Sequence, residues 1–133
     1  MLKTQAPLKL LLIDDSLDFQ LLVTTYLKDC GITCLFATDA VQATSTAVRE
    51  QPDLILLDIG LPGGGGLLLL ERLRANLRTA KIPVVVITAQ TTPGLESQVR
   101  SQGAEEFLHK PLEKEVLIDT LRRVLIPPST EQV

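Results

Sequence analysis

The feature that most constrains this chain is an alternation of short apolar runs with longer stretches of helical period. Residues 9–13, 33–37, 54–57, 84–88 and 107–109 form the runs, mostly without internal polar alternation. Strands covered on both faces require that pattern, because neither side of the sheet meets water. Strand followed by helix, five times over, predicts an α/β architecture: a doubly wound five-stranded parallel sheet, helices on both faces, right-handed crossovers. Ligands of such sheets bind outside the carboxyl ends of the strands. The residues just past each run therefore carry the most information about function.

The intervening stretches support the same reading. Phe19, Leu22, Val23, Tyr26, Leu27 and Cys30 recur at helical spacing on one face, and Gly31 supplies a stop. A second helix starts at Asp39, whose carboxylate can cap while Gln42 reaches back, and ends near Glu50 before Pro52. Its apolar face is mostly alanine. The third is expected over 67–77. A fourth takes Thr92 as cap and Pro93 as first residue, and stops at Gly103. The fifth, over 114–125, sets Leu117, Leu121 and Val124 on one side.

Length and charge then narrow the function. With 133 residues, 45% of them hydrophobic and 22% charged, the chain suits one globular domain with an aliphatic core. Residues 1–8 read as an N-terminal tail, 9–126 as the domain, and 127–133 as a C-terminal tail or the start of a linker. A net charge of −3 gives no basic face for nucleic acid. Cys30 and Cys34, with His109 as the single histidine, cannot complete a four-ligand zinc site and are expected as buried thiols in a reducing cytoplasm. No apolar run reaches the length of a membrane span, so a soluble, cytoplasmic protein is expected.

Polar residues at the strand ends form a chemical set. The first run leads into Asp14 and Asp15, the third into Asp58, the fourth into Thr88 and the fifth into Lys110. All five are expected at one edge of the sheet. Two unit charges about 4 Å apart repel by about 4 kcal/mol at an effective dielectric near 20, so three gathered carboxylates need a cation or must take up protons. With only oxygen ligands, few in number, magnesium is favoured over calcium or zinc. Each residue also has a plainer role: Asp14 or Asp58 could cap a helix, Thr88 could be an ordinary strand residue, and Lys110 a solvated charge. Capping leaves Lys110 unexplained, so the weight rests on convergence.

Four stretches in order, Leu-Leu-Ile-Asp-Asp-Ser at 11–16, Asp-Leu-Ile-Leu-Leu-Asp-Ile-Gly-Leu-Pro at 53–62, Val-Ile-Thr-Ala at 86–89 and Gly-Ala-Glu-Glu-Phe-Leu-His-Lys-Pro at 103–111, resemble the response-regulator receiver domains of two-component signalling. The resemblance implies a flavodoxin-like (βα)5 fold of strand order 2-1-3-4-5. It also implies a phosphorylation switch and not a conventional enzyme. Asp58 is the expected phosphoacceptor. Asp15 would bind Mg2+ directly and Asp14 mainly through water, with Asp58 and the Gly60 carbonyl completing the protein ligands. Lys110 and the Thr88 hydroxyl would contact the phosphoryl oxygens, as would the backbone amides of Gly60 and Ala89. A cis peptide before Pro111 is implied too. The phosphodonor would be a histidine kinase or a histidine phosphotransfer protein. Thr88 and Phe107 would couple the site to the face made by the fourth helix, fifth strand and fifth helix, which would bind a downstream effector or a second copy of the chain.

Some residues depart from the family's pattern. Phe107 stands where many members have tyrosine, so no phenolic hydroxyl can signal. Gly63, Gly64, Gly65 and Gly66 predict a mobile loop; a Walker phosphate loop would need a lysine and a hydroxyl where Leu67 and Leu68 stand. Gly60 and Gln90 lie where the family tunes the lifetime of the phosphoryl group. Arg72, Arg74 and Arg78 are expected on a solvated helix face, and Arg122 and Arg123 near a helix C-terminus, where positive charge is favourable. Two rival readings are a docking module that has lost phosphorylation and an aspartyl phosphohydrolase. Retention of all five polar residues opposes the first, and Gly60, where such hydrolases carry a second aspartate, opposes the second.

Overall fold

The computed structural model describes residues 7–60 and 65–125. Among them the chain order is β1 (Leu8–Ile13), α1 (Leu17–Leu27), β2 (Ile32–Ala37), α2 (Ala40–Glu50), β3 (Leu54–Asp58), α3 (Gly65–Ala75), β4 (Val84–Thr88), α4 (Leu95–Ser101), β5 (Glu106–His109) and α5 (Lys114–Leu125). The strands pair in parallel in the order β2-β1-β3-β4-β5, so β2 and β5 are the edges. Register aligns Ile13 with Leu57 and Asp58 with Ile87. This is the expected doubly wound sheet and strand order.

The alternate residues of the central strands feed two separate cores. Leu11, Ile13, Ile55, Leu57, Val84 and Val86 pack with Ala43 and Ala47 of α2, Leu69 and Leu73 of α3, and Val99 of α4. Leu10, Leu12, Leu54, Leu56, Val85 and Ile87 pack with Phe19 and Val23 of α1 and Leu117 and Leu121 of α5. Both faces being covered, β3 and β4 are buried at every position, which is why their sequences lack polar alternation. The alanine face of α2 is thin but sufficient: Ala43 and Ala47 are fully buried.

Helix ends depart from expectation in informative ways. Cys30 lies beyond α1 and is exposed, while Cys34 is half-buried in edge strand β2, so the two thiols are free but not buried as predicted. Burial raises the pKa of Cys34. Asp39 caps α2 by accepting from the Gln42 amide at 2.8 Å. Gln42 reaches back one residue further than a capping box requires, to the Thr38 amide at 2.9 Å. Helix α3 begins at Gly65 and ends at Ala75, two residues earlier at each end than predicted, and Leu77 is left 95% exposed. Helix α4 starts at Leu95, not Pro93. Gly94 is its N-cap with φ 84°, and that left-handed residue prevents Thr92 and Pro93 from opening a continuous helical turn. Thr92 contributes its carbonyl, which accepts from the Leu95 amide at 3.2 Å.

Two glycines are dictated by close approach. A Cβ on Gly66 would lie 2.4 Å from the Ile59 carbonyl oxygen, so this residue belongs to helix packing and not to the predicted mobile loop. Gly63 and Gly64 lie outside the described residues, as do most of the two expected tails; Leu8, placed in a tail by the sequence, is already in β1. Gly103 has φ 104°, and a Cβ there would meet Arg74 Nε at 2.7 Å. Arg74 itself corrects the solvated-face expectation: Arg72 and Arg78 are exposed, but Arg74 turns inward. It donates to the Gly103 carbonyl through Nε (3.1 Å) and Nη2 (2.8 Å), and through Nη1 to the carbonyls of Ala80 (3.0 Å) and Ile82 (2.7 Å). Burial pushes its pKa down, with the charge of Glu105 opposing. One side chain thus ties α3 to the connections that precede β4 and β5. Among the described residues no helix is long and apolar enough to cross a membrane.

Candidate functional site

Parallel strands deliver their last residues to one edge, and four of the five strands end there in the polar set. Asp14 follows β1 and is fully buried; Asp58 ends β3 and is 8% exposed; Asp15 is exposed. Each of the three offers a carboxylate oxygen, and those atoms lie within 4.8 Å of one another. Lys110, just past β5, crosses to meet them. Its Nζ donates to Asp14 Oδ2 at 2.9 Å and to Asp58 Oδ2 at 3.4 Å.

Local structure accounts for each placement. Asp14 Oδ1 accepts from the Ser16 amide at 2.8 Å, and the Asp14 amide donates to the Ala37 carbonyl at 3.0 Å, so the turn into α1 fixes this carboxylate. Ser16 then caps α1, accepting from the Phe19 amide at 3.2 Å. Asp58 Oδ1 accepts from the Gly60 amide at 2.9 Å. A side chain at Gly60 would start 3.3 Å from that same oxygen and 3.6 Å from Gln90 Nε2, so glycine keeps the carboxylate approachable.

Electrostatically, burial works against the charge on Lys110, but the hydrogen bond to Asp14 and the fields of Asp58 and Asp14 outweigh it and leave its pKa above the ordinary value. The ammonium therefore stays charged at neutral pH. One positive charge faces three carboxylates, so the cluster retains an excess of negative charge. An all-oxygen donor set of this kind, open to solvent at Asp15, fits a hard, partly hydrated dication better than a soft one.

The predicted residues are not all joined. Thr88 is fully buried at the end of β4, and its Oγ1 accepts from the Gln90 amide at 2.9 Å. Among the described residues neither Thr88 nor the exposed Ala89 hydrogen-bonds the three carboxylates. Phe107 is half-buried against the core beneath α2, α3 and α4, and its ring meets His109 edge-on, with centroids 5.1 Å apart. The Lys110–Pro111 peptide is cis, as expected. Sequence reasoning missed two contributors on α1. Phe19 lies beneath the ammonium, with Lys110 Nζ 4.3 Å from the ring centroid. Tyr26 donates its hydroxyl to the Leu112 carbonyl at 2.8 Å. Both stood on the apolar helix face read from the sequence, but spacing carries no sign of a partner near residue 110.

Comparison with known proteins agrees with this geometry. The family model described as the response regulator receiver domain matches residues 10–122. Among curated relatives, the phosphate regulon transcriptional regulatory protein PhoB of Pseudomonas aeruginosa is 34% identical over 116 residues, covering 87% of this chain and 51% of that protein. The same organism's PilH is 31% identical over 117 residues, covering 88% and 97%. This chain therefore spans about half the length of the first relative and nearly all of the second. Among solved structures, chemotaxis protein CheY4 of Vibrio cholerae has a TM-score of 0.83 at 30% identity, covering 90% and 100% of the two chains. The receiver domain of a Pseudomonas aeruginosa sensor histidine kinase, with a magnesium ion in its active site cleft, has a TM-score of 0.81 at 27% identity, covering 90% and 98%. With the fold, the strand-end acids and the family match in agreement, the chain belongs to the response regulator receiver family.

Proposed function

We propose that this receiver domain takes a phosphoryl group onto Asp58 from a histidine kinase or a histidine phosphotransfer protein in the cytoplasm, a compartment that suits its free thiols. The observation that carries the reading is the meeting of Asp14, Asp15 and Asp58 with Lys110 at one sheet edge. An Asp58 carboxylate oxygen attacks phosphorus, the bond from phosphorus to the donor breaks, and the leaving group departs with the electron pair. Asp15 and Asp58 would hold Mg2+, with Asp14 acting mainly through water and the Gly60 carbonyl as a further ligand. Bound there, the ion supplies charge neutralisation for the transferring oxygens.

The chain's own groups do the rest. Lys110, a point charge with three donors, exchanges a carboxylate partner for a phosphoryl oxygen. The Gly60 and Ala89 amides donate to the same group. Thr88 keeps a rotatable hydroxyl donor while its oxygen accepts from Gln90, and it moves toward the added oxygens. Phosphorylation adds nearly two negative charges and three acceptors. Shifting a two-state domain from about 1:99 to about 99:1 takes about 5.5 kcal/mol, and two or three charge-assisted hydrogen bonds of about 1.5–3 kcal/mol each supply that. Thr88 and Phe107 would transmit the change to the face of α4, β5 and α5, altering its affinity for an effector or a second copy. The name of PhoB, a transcriptional regulatory protein about half of whose length this chain covers, makes a transcriptional output one candidate for a longer protein that carries this domain.

Incubation with acetyl phosphate and Mg2+, followed by intact-mass measurement, tests the reading. One added phosphoryl group is expected on the wild type and none on Asp58→Asn. An unlabelled wild type, or undiminished labelling of the variant, overturns it.

A further inference from the structure

Lys110 has a difficult reach. It leaves edge strand β5, yet its ammonium serves carboxylates that follow β1 and β3. Neighbouring strands lie about 4.8 Å apart, so β3 is about 10 Å from β5 across the sheet. The lysine stem is flexible, and holding it in one geometry costs rotamer entropy. Its two carboxylate contacts are also the groups that the functional reading assigns to a dication and a phosphoryl group. They cannot be its only anchors if it is to remain in place while they change partners.

A third contact does not change partners. Lys110 Nζ sits 4.3 Å from the Phe19 ring centroid, within the range at which a ring face attracts a cation. Phe19 is only 7% exposed and packs in the same core as Leu112. Its amide is held by Ser16 Oγ at 3.2 Å, at the N-terminus of α1. The same helix fixes the segment beyond Lys110, because Tyr26 donates to the Leu112 carbonyl at 2.8 Å. Helix α1 thus grips the lysine and its loop at two points. An aromatic face also offers no oxygen lone pair to a hard dication, so it retains the ammonium without recruiting the metal.

We propose that Phe19 is a positioning residue for phosphoryl transfer, holding the Lys110 ammonium against its ring while the carboxylates exchange partners. The consequence for transfer rests on the functional reading above; the contact itself stands on the geometry.

NMR of the full chain separates the two. In the wild type the Lys110 Cε protons, identified by their loss in Lys110→Arg, are expected upfield from ring current, with and without Mg2+. The shift is expected to vanish in Phe19→Leu and return in Phe19→Tyr. Labelling by acetyl phosphate should slow about 3- to 10-fold in Phe19→Leu, the ratio a partly desolvated cation–π contact supports, and recover in Phe19→Tyr. Lys110 protons at ordinary positions in the wild type overturn the proposal, and that spectrum decides even if Phe19→Leu does not fold. An unchanged labelling rate in a folded Phe19→Leu lacking the ring-current shift overturns it too. A wild type that shows the shift but takes no label supports the ring contact, overturns its role in transfer, and sinks the functional reading.

Discussion

At the carboxyl edge of the sheet, Lys110 meets carboxylates; at the opposite edge, Arg74 meets backbone carbonyls. Both are half-buried cations that join segments distant in sequence. Lys110 bonds to Asp14 and Asp58, acids that repel one another and whose excess negative charge favours a cation. Arg74 makes four hydrogen bonds to the neutral carbonyls of Gly103, Ala80 and Ile82, with nothing in that arrangement to be exchanged. A planar fork with five donors suits permanent attachment, whereas an ammonium on a flexible stem suits partners that come and go. One edge is built to change, and the other holds α3 and the β4 and β5 connections while it does.

Denaturant unfolding should separate the edges. Arg74→Ala has the largest expected effect, a loss of about 3 kcal/mol, because it removes side-chain packing and leaves three partly buried carbonyls without their donor. Gly66→Ala comes next at about 2 kcal/mol, since its Cβ would press on Ile59 and force α3 away from the end of β3. Asp58→Asn should reverse the sign. In metal-free buffer it relieves repulsion among the three acids and stabilises by about 1 kcal/mol, while abolishing phosphoryl incorporation. Arg72→Ala, an exposed neighbour of Arg74 on the same helix, should stay within about 0.5 kcal/mol of the wild type. If Arg72→Ala and Arg74→Ala cost the same, the holding edge has been misread. A destabilising Asp58→Asn would instead mean that the bonds from Lys110 and the Gly60 amide to this carboxylate outweigh the repulsion among the acids.

Particular residues show how far the sequence could be read. The unbroken apolar runs of β3 and β4 revealed burial on both faces, and Asp14, Asp15, Asp58, Thr88 and Lys110 were visible as the polar residues at or just past the strand ends. Asp39 was visible as a cap because its partner lies three residues away. Gly94 was not, because Thr92 and Pro93 form the stronger local helix signal, and the left-handed turn that displaces it is a property of the path into α4. Arg74 looked like its neighbours Arg72 and Arg78 because nothing in helical spacing distinguishes a guanidinium that finds carbonyls beyond the helix end.

By itself, then, the sequence determined which segments become strands, which edge collects the acids, and that a lysine belongs with them. These are consequences of periodicity and chain direction, which act over a few residues. Only the tertiary structure decided that Phe19 lies under Lys110, that Tyr26 holds Leu112 from 86 residues away, and that Arg74 reaches Gly103 across 29. Those contacts depend on how helices settle on the two faces of the sheet, and packing selects partners by shape and distance, without leaving a repeat for the sequence to display.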